Sequence, residues 1–181
     1  MRRLILFLCL FLLPSLVFAQ DRAGRDTPGE WVVTHYQPFG LWDSICDERT
    51  TGDLREERCY LRYVEVYSPH PNFGAVFVFV TPDGVDIGLE RGTRFPEDGM
   101  RIEKDGTTLW QAEKRACLRG RDCSFQADEA DTLLDHMSAG QTLRLQFTDS
   151  NGIARDLTWD LAPFGPALAD FRQNAGQRGL I

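Results

Sequence analysis

Short segments in which apolar and polar residues alternate, separated by glycine- and proline-containing turns, determine what this 181-residue chain can fold into. The clearest is residues 74–81, where three valines fall on one face of a strand and Phe77 and Phe79 on the other. Further strands are predicted, in chain order, at residues 31–36, 58–67, 85–89, 100–104, 107–110, 124–127, 143–147 and 157–161. The pattern predicts an all-β fold, an antiparallel β-sandwich.

Two segments break the strand pattern with helical spacing. Asp128 is predicted to cap a short inserted helix, with Leu133 and Leu134 in its apolar stripe and Gly140 at its end. A short C-terminal helix is predicted around residues 168–171. A βαβ fold is excluded, because it would need a helix between most pairs of strands.

The first 19 residues have the features of a secretory signal peptide. Arg2 and Arg3 precede an apolar run over residues 4–18, and this run ends in the small residue Ala19. An uncleaved membrane anchor is the alternative, but the run is shorter than the roughly 20 apolar residues that a spanning helix needs. The sequence therefore predicts cleavage after Ala19, no membrane span in the mature chain, and a periplasmic, secreted or outer-envelope location.

The mature chain is predicted to have three parts. Residues 20–29 are polar and contain two glycines and a proline, which favours a flexible lead-in. Residues 30–172 hold all the strand and helix patterns and form the β-sandwich domain. Residues 173–181 are predicted to be a loose tail, and residues 47–57 are a polar stretch between two predicted strands that a Cys46–Cys59 disulfide would hold at both ends.

Cleavage leaves four cysteines, Cys46, Cys59, Cys117 and Cys123, an even number that predicts two disulfides in an exported chain. Three pairings are possible, and loop closure favours the local pairs Cys46–Cys59 and Cys117–Cys123. A zinc site is the alternative. Its paired ligands are usually separated by about two residues, whereas twelve and five residues separate these cysteines. The spacing favours disulfides and predicts no cofactor.

Charge excludes nucleic acid as the main partner. The chain carries 20 Lys and Arg against 27 Asp and Glu, a net charge of −7, and removal of Arg2 and Arg3 with the leader leaves 18 against 27, or −9. Four basic side chains nevertheless cluster in and beside the second cysteine loop: Lys114, Arg115, Arg119 and Arg121. They are candidates for binding a carboxylate or phosphate, and a solvated loop is the simpler interpretation.

Candidate catalytic residues form no motif. His35, His70 and His136 lie outside any catalytic signature, and the carboxylates lack the ligand spacing of an EF-hand loop. The sequence therefore predicts a protein that is not an enzyme. A hydrolase with two carboxylates brought together by folding stays open as an alternative, since such a pair is formed in space.

The second apolar face of residues 74–81, with Phe77 and Phe79, needs a cover, because a sandwich strand buries only one face against the core. One alternative is the protein itself, through the helix around Leu133 or the segment 163–171. The other is a partner or ligand. A third function, a structural subunit of an envelope assembly, would use the same face.

A series of short motifs resembles the invasion-associated locus B family of exported bacterial proteins, over residues 30–171. After the signal peptide, the motifs are Trp31-Val32-Val33, Cys59-Tyr60-Leu61, Cys117 and Cys123 followed by Ser124-Phe125-Gln126-Ala127, Leu133-Leu134, Gly140, and residues 157–164 running to Ala167-Leu168. The chain departs from the family pattern at residues 34–36, where it has no early cysteine. The resemblance implies an immunoglobulin-like β-sandwich of the periplasm or outer envelope, without enzymatic activity. The function expected is binding of an envelope protein or an anionic glycan.

The leader gives the first testable prediction. We expect the protein recovered from the envelope fraction to begin at Gln20, because the signal peptidase cuts after the small residue that ends the apolar run. Intact-mass spectrometry without reduction measures both the start of the chain and the loss of thiol protons. A full-length chain with alkylatable thiols, recovered from the cell interior, would contradict it.

Overall fold

The structure, a computed structural model, describes residues 30–68, 73–89, 92–94, 99–112 and 122–181. The predicted signal peptide and lead-in lie outside these ranges. The described residues form β1 (Val32–Phe39), β2 (Trp42–Thr51), β3 (Leu54–Ser68), β4 (Gly74–Thr81), β5 (Gly84–Gly88), β6 (Met100–Lys104), β7 (Thr107–Gln111), β8 (Asp122–Gln126), α1 (Asp128–Ala139), β9 (Thr142–Thr148), β10 (Ala154–Asp160) and α2 (Phe164–Gln177).

The strands make two antiparallel sheets. The larger has the order β1-β2-β3-β4-β5-β8 and the smaller has the order β10-β9-β6-β7. Strands β1 to β5 follow one another as a meander, and β8 pairs with β5 after the chain has given β6 and β7 to the smaller sheet. The antiparallel β-sandwich with two helices that the sequence predicted is confirmed.

The core lies on one side of the larger sheet. Trp42 of β2 and Tyr63 of β3 point to this side, and Tyr63 makes an edge-to-face contact with Trp159 of the smaller sheet at 5.1 Å between ring centroids. Phe164 of α2 makes a similar contact with Trp42 at 5.0 Å. The smaller sheet and α2 therefore cover the same face of the larger sheet.

The two helices correct the sequence analysis at their ends. Helix α1 buries the predicted stripe and stops before Gly140, but Ala127 occupies its N-cap position, so Asp128 begins the helix rather than capping it. Helix α2 continues to Gln177 and buries Ala175, so the prediction of a loose tail is wrong for residues 173–177. Ala175 extends the buried stripe by one turn, and the polar residues beside it hide that pattern in the sequence. Neither helix, in the part of the chain that the structure describes, is long and apolar enough to cross a membrane.

The polar stretch 47–57, expected to lie between two strands, mostly belongs to strands itself, because β2 and β3 form a long hairpin that turns at Gly52 and Asp53. Opposite charges face each other across this hairpin: Arg49 lies opposite Glu56, and Asp47 opposite Arg58. These two pairs are neutralised across the strands, and the facing acids Glu48 and Glu57 are both bound by Arg55, so a polar segment can form strands.

The first predicted disulfide is confirmed. Cys46 and Cys59 lie directly opposite each other in the β2–β3 pair, and they are bonded and buried. Because they form a disulfide, these two residues cannot be thiolate ligands of the alternative zinc site. Cys123 is also disulfide-bonded, and Cys117, its predicted partner, lies outside the described residues.

The disulfide gives a stability prediction. Replacing both Cys46 and Cys59 by alanine is expected to lower the free energy of unfolding by about 3 kcal/mol, because the bond closes a loop with a sequence separation of 13 residues. Urea denaturation followed by circular dichroism measures the loss. The matched control is Ser44→Ala on the same buried face, whose hydroxyl has no hydrogen-bond partner among the described residues, and this variant should keep or raise the wild-type stability, because an unsatisfied buried hydroxyl is removed. A loss below about 1 kcal/mol for the double variant would contradict the prediction.

Candidate binding surface

The side of the larger sheet that faces away from the smaller sheet is called the outer face here. It carries every second residue of each strand, including Ile45 and Asp47 of β2, Arg58 and Tyr60 of β3, and Phe77 of β4. Although no strand or helix of the described chain is paired over it, Ile45 and Asp47 are only 3% and 1% exposed. Neighbouring side chains must therefore cover them.

Asp47 is covered by Arg58 and Tyr60. Arg58 binds the Asp47 carboxylate with two hydrogen bonds, 2.6 Å from Nε to Oδ1 and 3.0 Å from Nη2 to Oδ2, and the Tyr60 hydroxyl donates to Oδ2 at 3.2 Å. The Arg58 guanidinium also stacks on the buried Trp31 ring, 3.9 Å from its centroid. Burial and the nearby Asp47 charge raise the pKa of Tyr60, which keeps its hydroxyl protonated as a donor. The buried carboxylate is thus fully compensated.

Two more arginines on the outer face are paired in the same way. Arg49 also lies over the Trp31 ring, 4.7 Å from its centroid, and binds Glu56. Arg62 donates from Nη2 to Asp43 at 2.8 Å. The Tyr36 hydroxyl donates to the second oxygen of Asp43 at 3.0 Å. This half of the outer face is rich in aromatic rings and arginines, and the charges of its arginines are neutralised within the protein.

Beside these residues, on β3 and β4, the outer face carries an apolar strip, formed by Val64, Val66 and Phe77. Val64 lies directly opposite Phe77 in the β3–β4 pair. Their exposed fractions are 39% for Val64, 48% for Val66 and 37% for Phe77. Phe79 is half-buried and packs on Tyr60 with 6.0 Å between ring centroids, so it joins the strip to the aromatic network.

The protein's own helices do not cover this strip. Helix α2 contacts β1, β2 and β3, and α1 contacts β5, β7 and β8, and both bury their apolar stripes in the core. The interpretation in which the segments around Leu133 and at 163–171 cover Phe77 and Phe79 is therefore wrong. Those segments pack against the opposite, inner face of the larger sheet, where their apolar side chains are buried in the core.

The other predicted site residues divide into two groups. The basic candidates Lys114, Arg115, Arg119 and Arg121 lie outside the described residues. His35 is structural: its Nε2 atom lies 2.7 Å from Asp170 Oδ2 and 3.2 Å from Asn174 Nδ2, which ties β1 to α2. Among the described residues no group of three or more His, Cys, Asp or Glu side chains could hold a metal ion.

The sequence analysis missed Trp31, Asp47 and Arg58 as parts of one surface. A signal was present, because the two cysteines and the opposite charges are placed symmetrically about Gly52 and Asp53. A hairpin centred there brings Asp47 onto Arg58 and Glu56 onto Arg49. The position of Trp31 gave no such signal, since its contact with Arg58 depends on the bulge in β1 between Val33 and His35.

Comparisons with known proteins give a remote structural similarity. Neither the protein-family models nor the curated proteins contain a match to this chain. Among solved structures, the chain is similar to the crystal structure of invasion associated protein B from Bartonella henselae, with 18% sequence identity and a TM-score of 0.49. The match covers 80% of this chain and 99% of that chain. At this identity and TM-score the similarity does not establish membership of a family.

The hydrogen bonds of Arg58 and Tyr60 with Asp47 give a stability prediction. Asp47→Asn is expected to lower the free energy of unfolding by about 2 kcal/mol, because Arg58 loses its charged partner while it stays stacked on Trp31. Chemical denaturation measures the change. The matched control Asp53→Asn lies in the exposed turn of the same hairpin and should change the stability by less than about 0.5 kcal/mol. Equal effects of the two substitutions would show that the network does not stabilise the fold.

Proposed function

We propose that this chain is an exported, disulfide-bonded, non-enzymatic envelope protein that binds a protein partner through its outer face. The observation that carries the proposal is the apolar strip: three large apolar side chains, each more than a third exposed, lie side by side on adjacent strands. Exposed apolar side chains that form a contiguous group mark interaction sites in soluble proteins.

The surroundings of the strip favour a protein over a glycan. Arg49, Arg58 and Arg62 are already bound to acidic side chains, so they have little capacity left for an anionic sugar. Neutralised arginines beside Trp and Tyr rings are instead typical of the centre of protein–protein interfaces. The partner expected is a protein surface with exposed aliphatic or aromatic side chains and few unpaired charges, since an unpaired charge would be desolvated on this face without compensation.

Support for the envelope comes from the leader pattern together with the disulfides. A buried Cys46–Cys59 bond persists in an oxidising compartment, and a secretory leader would bring the chain there. Support for a binding role comes from the shape of the candidate surface, because the outer face of a sheet presents area rather than an enclosed cleft for a reacting group.

The test places a photo-crosslinking phenylalanine analogue at Phe77 in cells that make the protein. The matched control carries it at Leu109 of β7, which is exposed to nearly the same extent, 38% against 37%, but belongs to the smaller sheet. We expect a heteromeric adduct in the envelope fraction from position 77 and none from position 109. Adducts at both positions, or at neither, would overturn the proposal.

A binding measurement with the identified partner completes the test. Val66→Asp should weaken binding of the purified partner at least tenfold, whereas Leu109→Asp should leave it unchanged, because only the first introduces a charge into the strip. Unchanged binding by Val66→Asp would overturn the proposal. An adduct formed by two copies of this chain, with a dimer in sedimentation, would also overturn it and favour a self-assembling structural subunit.

A further inference from the structure

The exposed side of the smaller sheet contains a cavity of about 500 Å³, lined by residues of β9 and β10 and by Arg94. It is called the Arg94 cavity here. Arg94 pairs with Thr148 of β9 through two backbone hydrogen bonds of 2.9 Å, and Thr148 is the cross-strand neighbour of Ala154. Cross-strand neighbours point to the same side of a sheet, so these three side chains form one row. The small Ala154 leaves the space at the end of this row.

The next row holds Gln146 and Asp156, which are cross-strand neighbours and also line the cavity. Asp156 accepts two hydrogen bonds from Arg144, at 2.8 and 2.6 Å, and a third from Gln146 Nε2 at 2.9 Å. The pKa of Asp156 is lowered to about 2, mainly by its hydrogen bonds with Arg144. Its carboxylate is therefore ionised and fixed in position at neutral pH.

The carboxamide of Gln146 is fixed as well, because its Oε1 atom accepts a hydrogen bond from Arg101 Nη1 at 2.9 Å. The floor of the cavity is thus arranged before any ligand arrives, which reduces the entropy lost on binding. Asp156 keeps free lone pairs, since three donors do not saturate its two oxygens. It can accept hydrogen bonds from hydroxyl groups of a ligand.

Arg94 differs from the other arginines of this face. Its side chain is exposed at the cavity and makes no hydrogen bond or ion pair within the described ranges, whereas Arg144 is bound to Asp156. A guanidinium has five donors in a planar fork that matches a carboxylate. The cavity therefore offers an uncompensated cation in one row and a fixed hydroxyl-binding acceptor in the next, about 7 Å along the strands.

We propose that the Arg94 cavity binds a carboxylate-bearing sugar, a hexuronate unit, with its carboxylate on Arg94 and its ring hydroxyls on Asp156, Gln146 and Thr148. The distance between the two rows suits a pyranose ring with a carboxylate at one end and hydroxyls at the other. A phosphate ester fits less well, because its second negative charge would lie close to ionised Asp156. The volume is within the range of pockets for small ligands.

This site is independent of the outer face, since it lies on the other sheet and uses none of the residues of the apolar strip. A protein that binds a partner through one sheet and an acidic sugar through the other would link the partner to the sugar. An experiment can disprove one of the two sites without affecting the other.

The test is a ¹⁵N-NMR titration of the mature protein with methyl β-D-glucuronoside, with methyl β-D-glucoside and acetate as matched ligands. We expect the glucuronoside to shift resonances of β9 and β10 and to bind at least tenfold more tightly than the glucoside, because only it carries the carboxylate. Acetate should bind more weakly than the glucuronoside, because it lacks the hydroxyls for Asp156. Equal binding of either matched ligand would overturn the proposal.

Variants locate the site. Arg94→Gln should weaken glucuronoside binding about tenfold or more, and the control Arg172→Gln on the exposed face of α2 should leave it unchanged. Thermal denaturation checks that both variants keep the wild-type fold, as expected for exposed side chains. Equal affinity of Arg94→Gln and the wild type, shifts confined to another part of the protein, or no shifts at high millimolar ligand would each overturn the proposal.

Discussion

The pairing of β2 with β3 is the constraint on which the rest of the structure depends. Because side chains alternate along a strand, a slip of one residue in this pair would move either Trp42 of β2 or Leu61 and Tyr63 of β3 out of the core and bring charged residues into it. Three interactions oppose such a slip: the Cys46–Cys59 disulfide, the Asp47–Arg58 pair, and the Arg49–Glu56 pair. All three belong to one register about the same turn, so covalent, ionic and hydrophobic preferences agree, which is the condition for a single native arrangement.

The difference in width between the two sheets explains where the helices go. The larger sheet has two more strands than the smaller, and strands lie about 4.8 Å apart, so the smaller sheet leaves about 10 Å of the inner face uncovered. Helix α2 covers part of it beneath β1–β3, and α1 covers part beneath β5 and β8. Because α2 has to cover this inner face, it stays helical as far as Gln177, and its Ala175 is buried against the core. This arrangement also leaves the outer face of the larger sheet uncovered by either of these two helices.

The two exposed layers of the sandwich have different chemistry. On the outer face of the larger sheet, Asp47 and Arg58 neutralise each other beside Trp31, and an apolar strip lies next to them. On the smaller sheet, Asp156 and Arg144 neutralise each other in the same bidentate geometry, but Arg94 keeps its charge available at a cavity. The first combination suits an apolar protein surface and the second an anionic polar ligand, because desolvation favours partners that leave no charge uncompensated.

The sequence by itself determined the local structure: the strand of alternating valines at residues 74–81, the stripe of α1 and the Cys46–Cys59 pairing. Each of these depends on residues close together in the chain, where alternation and short loop closure act. Only the tertiary structure decided which face of β4 stays exposed, that His35 contacts Asp170 across 135 residues of sequence, and that Arg94 stands beside Asp156. These depend on how the sheets and helices stack, and packing of distant segments leaves no periodic signal in a single sequence.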